Sequence, residues 1–136
     1  MKFQPDTSDG VNAITRTEPG RVWVGNTAFS HSLVVPWMGE VQDWDVADMA
    51  DLTPAHFERL AALDPELVVF GSGARLRFPS AALLRALIER GIGVETMDTP
   101  AACRTFNVLA SERRSVVAAL VLEAAPSLRT GATENL

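Results

Sequence analysis

The spacing of apolar positions differs between the two halves of the chain. In the first half, short apolar runs separated by turn-forming residues predict strands over 11–17, 21–25, 28–35 and 41–46. Glu18-Pro19-Gly20 lies between the first two runs, and a Pro-Gly pair is typical of a tight turn. The first three runs are therefore predicted to form an antiparallel β-meander, which Pro36-Trp-Met-Gly39 breaks before the half-buried strand at 41–46.

In the second half, apolar positions at helical spacing alternate with continuous apolar runs. Helices are predicted to begin at Thr53-Pro54, Pro79-Ser80 and Thr99-Pro100 and to end near 63, at the Gly91 C-cap and near 110. The second helix is expected to turn four apolar side chains inward: Leu83, Leu84, Leu87 and Ile88. The runs at 67–70, 92–97 and 115–122 predict buried strands. This alternation implies a largely parallel sheet with right-handed crossovers, and so an α/β fold class.

Length and charge limit the classes of protein to consider. The 136 residues suit one domain, which we expect over 1–125, followed by a polar C-terminal tail over 126–136. The formal net charge is -5, and residues 1–68 carry most of the carboxylates, which argues against nucleic-acid binding. The longest apolar run, 116–122, is far shorter than the roughly 20 residues that span a bilayer. The first residues lack the apolar core of a signal peptide, so we expect a cytoplasmic protein without direct membrane insertion.

The residues that usually hold metals are scarce. Cys103 is the single cysteine, and His31 and His56 are the two histidines. No intrachain disulfide can form, and we expect no metal site and no bound cofactor.

Two predicted turns follow predicted parallel strands. Gly71-Ser72-Gly73 comes after the run at 67–70, and Asp98-Thr99 comes after the run at 92–97. Ligands of open α/β sheets bind outside the carboxyl ends of such strands, so neighbouring strands would bring both turns to one crevice. The Gly-Ser-Gly turn lacks the third glycine and the acidic residue of a dinucleotide-binding fingerprint.

The third predicted helix carries a thiol and a cation near its N-terminus. With Thr99 as N-cap and Pro100 at N1, Cys103 falls at N4 beside Arg104. The helix dipole and the guanidinium would both lower the pKa of the thiol, and this would suit a nucleophile, a redox-sensitive thiol or part of an anion pocket. The alternative, which we favour, is a small buried hydrophobe.

Three further side chains have two interpretations each. Arg104 would bind a ligand or form a structural ion pair with Asp98 or Glu95. Asn107, one turn after Cys103, would bind a ligand or fasten a backbone segment. Trp37 lies between Pro36 and Met38 in a predicted loop, where a large aromatic residue either anchors a partner or packs as a lid on its own domain.

Two motifs resemble one family. Leu67-Val-Val-Phe-Gly-Ser-Gly73 and the run Met97-Asp-Thr-Pro-Ala-Ala-Cys-Arg-Thr-Phe-Asn107 resemble the Mth938-like family, formerly a domain of unknown function, over about 14–122. The family includes relatives of a mitochondrial complex I assembly factor. The resemblance implies a compact three-layer α/β fold, with a mixed central sheet, flanking helices and extra N-terminal β structure. It also implies a pocket near 71–73 and 98–107, but no catalytic mechanism.

These observations support two hypotheses. The first is a non-catalytic binding module that acts through a protein partner, in the assembly of a membrane-associated complex. The assembly role is what the family resemblance implies, and a non-catalytic role is also favoured because the sequence shows no acid/base or metal constellation. The alternative is a protein that binds a small anionic ligand, or a thiol-dependent enzyme, with Cys103 and Arg104 in the crevice.

Overall fold

Two β-sheets form the framework of residues 10–123, which are the residues that the computed structural model describes. The strands in chain order are β1 (Ile14–Glu18), β2 (Arg21–Val24), β3 (Thr27–Phe29), β4 (Leu33–Pro36), β5 (Gln42–Asp43), β6 (Leu67–Gly71), β7 (Gly93–Met97) and β8 (Val116–Leu120). The helices are α1 (Pro54–Ala61), α2 (Arg85–Glu89) and α3 (Thr99–Ser111), and a 3-10 turn covers Met49–Asp51. The expected tail, 126–136, and both ends of the expected domain, 1–125, lie outside the described residues.

The N-terminal half begins with the predicted meander. Strands β1, β2 and β3 pair in sequence as an antiparallel three-stranded sheet. The β1–β2 turn contains Gly20 at φ +74°, in the left-handed region that glycine enters without steric cost. The meander is thus confirmed, and its turn is where the Pro-Gly pair placed it.

The second sheet has five strands in the order β5-β4-β8-β6-β7. β6 pairs in parallel with both β7 and β8, whereas β4 pairs antiparallel with β8 and β5. The strand–helix alternation of the second half therefore builds a parallel core, and the N-terminal half adds antiparallel strands to one side of it. The mixed central sheet expected from the resemblance is confirmed.

Both faces of the central sheet are covered, which gives three layers. Neighbouring residues of a strand point to opposite faces. Val69 packs with α3 and the three-stranded sheet, whereas Val68 and Phe70 pack on the other face with α1 and α2. Because β6 and β8 are buried on both faces, they appear in the sequence as continuous apolar runs.

The predicted strand over 28–35 divides between the two sheets. β3 ends at Phe29 and β4 begins at Leu33, so the chain crosses from one sheet to the other at Ser30–Ser32. The buried hydroxyl of Ser32 donates to Val46 O at 2.6 Å and accepts from the N–H of Leu122 at 2.8 Å. These bonds hold the crossover in place, and a count of apolar residues along the chain cannot detect them.

Two other predicted elements are shorter than expected. The strand predicted over 41–46 pairs only at Gln42–Asp43, because the chain then turns toward the 3-10 turn, although Trp44 is buried as the alternation indicated. The helix predicted from Pro79 begins only at Arg85, after successive turns. In a helix of five residues Leu87 is buried, while Ile88 is exposed, so the inward placement of Ile88 was wrong.

Candidate functional site

The two predicted turns meet at the carboxyl edge of the central sheet. β6 and β7 are parallel neighbours, so Gly71–Gly73 and Asp98–Thr99 lie side by side. The N–H of Thr99 donates to Gly73 O at 2.9 Å, and the N–H of Gly73 donates to Thr99 Oγ1 at 2.9 Å. We call these five residues the turn junction. The turns bind each other, so no open crevice separates them.

Thr99 connects three segments of the chain. In addition to its bonds with Gly73, its buried hydroxyl donates to Val121 O at 2.8 Å, just beyond β8. Thr99 was predicted to be the N-cap of α3, but the N-cap is Asp98, whose Oδ1 accepts from the N–H of Ala101 at 2.9 Å. The threonine hydroxyl cannot cap the helix because it is already bonded across the junction.

Both glycines of the junction are explained by close packing. A Cβ at Gly71 would lie 2.8 Å from Thr99 Oγ1 and 3.0 Å from Thr99 Cα. Gly73 has φ +102°, and a Cβ there would lie 2.6 Å from an oxygen of Glu123. Gly71 therefore allows the turn to approach the start of α3 closely, and Gly73 supplies a positive φ that other residues rarely adopt.

The Ser72 hydroxyl shapes the loop that follows the junction. It is buried, donates to Arg75 O at 2.7 Å and accepts from the N–H of Arg77 at 3.0 Å. The N–H of Ser72 donates to Met97 O at 2.9 Å. Because its groups are bonded within the chain, Ser72 acts as a structural residue.

The N-terminus of α3 does not offer free N–H groups to an anion. Thr99 donates to Gly73 O, Pro100 has no N–H, and Ala101 and Ala102 both donate to Asp98. The dipole at this end is thus already satisfied by protein acceptors.

Arg104 does not complete an anion pocket. It is exposed, and the ion pairs formed within residues 10–123 do not include it, so the expected pairs with Asp98 or Glu95 are not formed. Its side chain also does not line the cleft described below. The cation and the helix N-terminus therefore do not converge on one ligand position.

Cys103 lies in the core on the α3 face of the central sheet. Its side chain is buried, in the same cluster as Ala102 and Phe106. Burial raises the pKa of the Cys103 thiol to about 12, and the opposing effect of Arg104 is smaller. The lowered pKa considered from the sequence is corrected, because desolvation outweighs the opposing charge of Arg104.

Asn107 joins α3 to the N-terminal sheet. Its Oδ1 accepts from the N–H of Ile14 and its Nδ2 donates to Ile14 O, both at 2.8 Å. This pair of bonds mimics one step of a β-ladder across 93 residues of sequence. Of the two interpretations of Asn107, the structure shows the fastening of a backbone segment.

An open cleft of about 410 Å³ lies beside the turn junction, between it and the β1–β2 turn. Gly73 and Thr99 are the two predicted site residues that reach it, and the other predicted pocket residues do not line it. The charged side chains of its lining are Glu18 and Glu123, and Glu123 is paired with Arg77. Its electrostatics therefore do not favour an anionic ligand.

Trp37 packs on its own domain. It is half-buried and lies against the core on the α3 face. Its loop is held by Asn12, whose backbone N–H donates to Trp37 O at 2.9 Å and whose Nδ2 donates to Pro36 O and Gly39 O. The structure therefore shows Trp37 packed on its own domain, and its role in contacting a partner stays a prediction.

The loop Arg75–Pro79, which we call the exposed loop, carries a surface that the sequence analysis did not single out. Phe78 is 69% exposed and Leu76 is 53% exposed. Between them, the guanidinium of Arg77 pairs with Glu123, three residues after the end of β8. The available signal was two large apolar residues in a stretch that fits neither strand nor helix periodicity.

The described residues also bear on metals and membranes. Across 10–123, no three His, Cys, Asp or Glu side chains gather as a metal ion would require. Among the helices of that part of the chain, none has the length and apolar character needed to cross a bilayer.

Comparison with known proteins identifies relatives that carry the name of an assembly factor. The chain is 40% identical over 121 residues to the Danio rerio protein named NADH dehydrogenase (ubiquinone) 1 alpha subcomplex assembly factor 3, covering 88% of this chain and 68% of that protein. The Homo sapiens protein of the same name is 38% identical over 99 residues, covering 71% of this chain and 53% of that protein. The chain thus spans about half the length of the human relative.

The fold has a matching solved structure. A solution structure of a Mth938-like domain from Bordetella pertussis matches with a TM-score of 0.79 and 30% identity, covering 99% of this chain and 100% of that one. The sequence profile described as "Protein of unknown function (DUF498/DUF598)" matches residues 14–121. Because this profile covers nearly all of the described fold, the chain belongs to the Mth938-like family, DUF498/DUF598.

Proposed function

We propose that this chain is a non-catalytic binding module that acts through protein partners in the assembly of a membrane-associated complex of the NADH dehydrogenase type. The observation that carries the proposal is the 40% identity with the Danio rerio assembly factor over 88% of this chain. The similarity extends through the whole α/β domain, so the proposed shared property is one of the domain itself.

The geometry of the turn junction supports binding over catalysis. The groups that a thiol enzyme would use are engaged in the fold: Cys103 is buried with its pKa raised to about 12, and the hydroxyl of Thr99 is bonded at both its donor and acceptor sides. A cysteine nucleophile must be accessible to its substrate and must be deprotonated. The Cys103 thiol is buried and its pKa is raised, so it meets neither condition. The domain would therefore act by binding partners at its surface.

We further propose that the module works in the cytoplasm. Its one cysteine is buried and cannot form an intrachain disulfide, so the fold does not depend on an oxidising compartment. The contacts with the growing complex would then form on the part of that complex which faces the cytoplasm.

The test is removal of the protein from the organism that encodes it. Native gel electrophoresis would measure the assembled NADH dehydrogenase, and mass spectrometry would measure its subunits in the same cells. We expect the assembled complex to fall while subunits accumulate in smaller assemblies, and the unaltered chain to restore it. An unchanged amount of assembled complex would contradict the proposal.

A second candidate function is the binding of a small molecule in the cleft of about 410 Å³ beside the turn junction. Its two carboxylates favour a neutral or cationic ligand over the anion first considered. Native mass spectrometry of the gently purified chain would detect such a ligand as added mass. Ala74→Trp, which fills the cleft from an exposed lining position, should abolish the added mass, and a bare unaltered chain would remove this candidate.

A further inference from the structure

We infer that the exposed loop is a docking site for a segment of a partner protein that combines apolar side chains with carboxylates. This inference rests on the proposed function, since it specifies where the partner binds and what chemistry the partner presents. Three features of the loop carry it: exposed apolar area, a fixed conformation and an arginine that takes part in no ion pair within residues 10–123.

The first feature is the concentration of exposed apolar area. The other large apolar side chains exposed in the described part of the chain lie singly, at Met38, Leu63, Ile88 and Val108. Leu76 and Phe78 instead lie two residues apart in one loop, and they are 53% and 69% exposed. Covering a side chain of this size contributes about 1.5–3 kcal/mol when it is fully buried. Aromatic residues, phenylalanine included, are enriched in the buried core of protein interfaces, so Phe78 is the expected main contact and Leu76 adds apolar area beside it.

The second feature is that the loop is held in place. The Ser72 hydroxyl bonds the backbone of both Arg75 and Arg77, and the guanidinium of Arg77 pairs with Glu123. These contacts fix the backbone on either side of Leu76. A pre-organised loop loses little conformational entropy on binding, so the apolar contact is available for affinity.

The third feature is the charge around the loop. Residues 71–88 contain three arginines and no carboxylate, although the whole chain has a net charge of -5. Arg77 is neutralised by Glu123, whereas Arg75 is exposed and takes part in none of the ion pairs found within 10–123. A carboxylate beside the docked apolar side chains would pair with Arg75 and fix the register of the segment.

A protein segment fits this surface better than a lipid bilayer does. Membrane-surface binding requires a long amphipathic face or a dense basic cluster. Here one loop carries two apolar side chains, and one of its two arginines is already paired. The size and charge of the patch match a short segment with one or two apolar anchors.

Photocrosslinking in the organism's own cells tests the inference. The probe is benzoylphenylalanine placed at Phe78 in the full chain, and the matched control has it at Ile88, which is 58% exposed on α2. We expect the yield of protein crosslinks at position 78 to exceed that at 88 by about tenfold, as for a hot spot against a bare surface. The crosslinked peptide should contain Asp or Glu within a few residues of its apolar attachment site.

Charge reversal provides the second arm. In the chain with the probe at 78, Arg75→Glu should lower the crosslink yield about tenfold, whereas Arg104→Glu, an exposed arginine outside the loop, should leave it unchanged. Replacing the carboxylate of the crosslinked segment by arginine should then restore the yield with Arg75→Glu. Restoration shows direct pairing and excludes an indirect effect on folding.

Several results would overturn the inference: equal yields at 78 and 88, no crosslink at 78, crosslinks to lipid or to a second copy of this chain, a partner segment without carboxylates, or insensitivity to Arg75→Glu. The proposed function fails separately. A matching segment on a protein unrelated to NADH dehydrogenase would support the docking site and contradict the assembly role. If removal of the protein lowers the amount of assembled complex and the loop variants restore it fully, the assembly role is supported and the docking site is contradicted.

Discussion

The exposed loop follows the Gly71–Gly73 turn of the junction in the chain, but the two regions differ. The junction pairs its polar groups within the fold, whereas the loop exposes apolar side chains to water. In the junction, backbone and hydroxyl groups of Gly73 and Thr99 bond each other and Val121. A few residues later, Leu76 and Phe78 place apolar side chains in water. The more distinctive sequence motif belongs to the region whose hydrogen-bonding groups at Gly73 and Thr99 are engaged within the fold. A specific motif in a small domain can therefore mark a structural joint, while the binding surface lies in a less conspicuous segment beside it.

The difference has a thermodynamic consequence. Changes in the junction should alter the stability of the fold, and changes in the exposed loop should alter binding at nearly constant stability. The predictions below separate the two regions on this basis.

The largest expected effect is from Thr99→Val. The variant leaves the N–H of Gly73 and the carbonyl of Val121 without their partner in a buried place, and we expect the free energy of unfolding to fall by about 3 kcal/mol. Chemical denaturation with circular dichroism measures it. Thr17→Val at an exposed position of β1 is the control and should change stability by less than about 0.5 kcal/mol. Equal stability of the two variants would show that the junction is not a structural joint.

Asn107→Leu should have the next largest effect. It removes both bonds to Ile14, and we expect a loss of about 2 kcal/mol, together with faster amide hydrogen exchange in β1. Exchange rates in β6 should rise only as far as global stability falls. If β1 keeps its protection in the variant, Asn107 does not fasten the N-terminal sheet.

The alkaline stability of the fold reports on Cys103. Its pKa is raised from 9.0 to about 12 in the folded chain, so the unfolded thiol loses its proton first. The unfolded state then binds fewer protons, and stability falls as the pH rises above 9 toward 12, with a slope of about 1.4 kcal/mol per pH unit within that window. The chain has no tyrosine and one lysine, Lys2, so few other groups titrate there. Cys103→Ala should make the free energy of unfolding nearly independent of pH in this window. An unaltered slope in that variant would show that a group other than Cys103 causes the dependence.

The smallest expected change in stability is from Leu76→Ser with Phe78→Ser. Both side chains are mostly in water, so we expect the free energy of unfolding to change by less than about 0.5 kcal/mol. Thermal denaturation of the double variant beside the unaltered chain measures the change. A loss of several kcal/mol would mean that the loop packs within the fold, contrary to its role as a docking surface.

Periodicity and turn chemistry predicted the strand–helix alternation and the meander, whereas the three layers and the mixed sheet were implied by the family resemblance. The buried runs of β6 and β8 and the Pro-Gly turn near Gly20 are local signals, and they predicted the sheet and the meander. The crossover at Ser32 and the role of Asn107 depend on partners about 90 residues away in sequence, and local spacing does not contain these partners.

The same limit applies to the candidate site. The sequence correctly placed Gly73 beside Thr99, because parallel neighbours share an edge. It could not show that Thr99 bonds Val121 instead of capping α3, or that burial outweighs the charge of Arg104 at Cys103. Both outcomes are decided by how tightly the layers pack. The exposure of Phe78 is likewise a property of the assembled surface.

The most direct test of the central claim is side-by-side restoration in cells that lack the protein. Four versions are compared by their amount of assembled NADH dehydrogenase: the unaltered chain, Cys103→Ala, Leu76→Ser with Phe78→Ser, and Ile88→Ser with Val108→Ser as the control for exposed apolar residues. We predict that the loop variant alone fails to restore the complex while it accumulates as folded protein. Full restoration by the loop variant together with failure of Cys103→Ala would contradict the account, because function would then depend on the buried thiol.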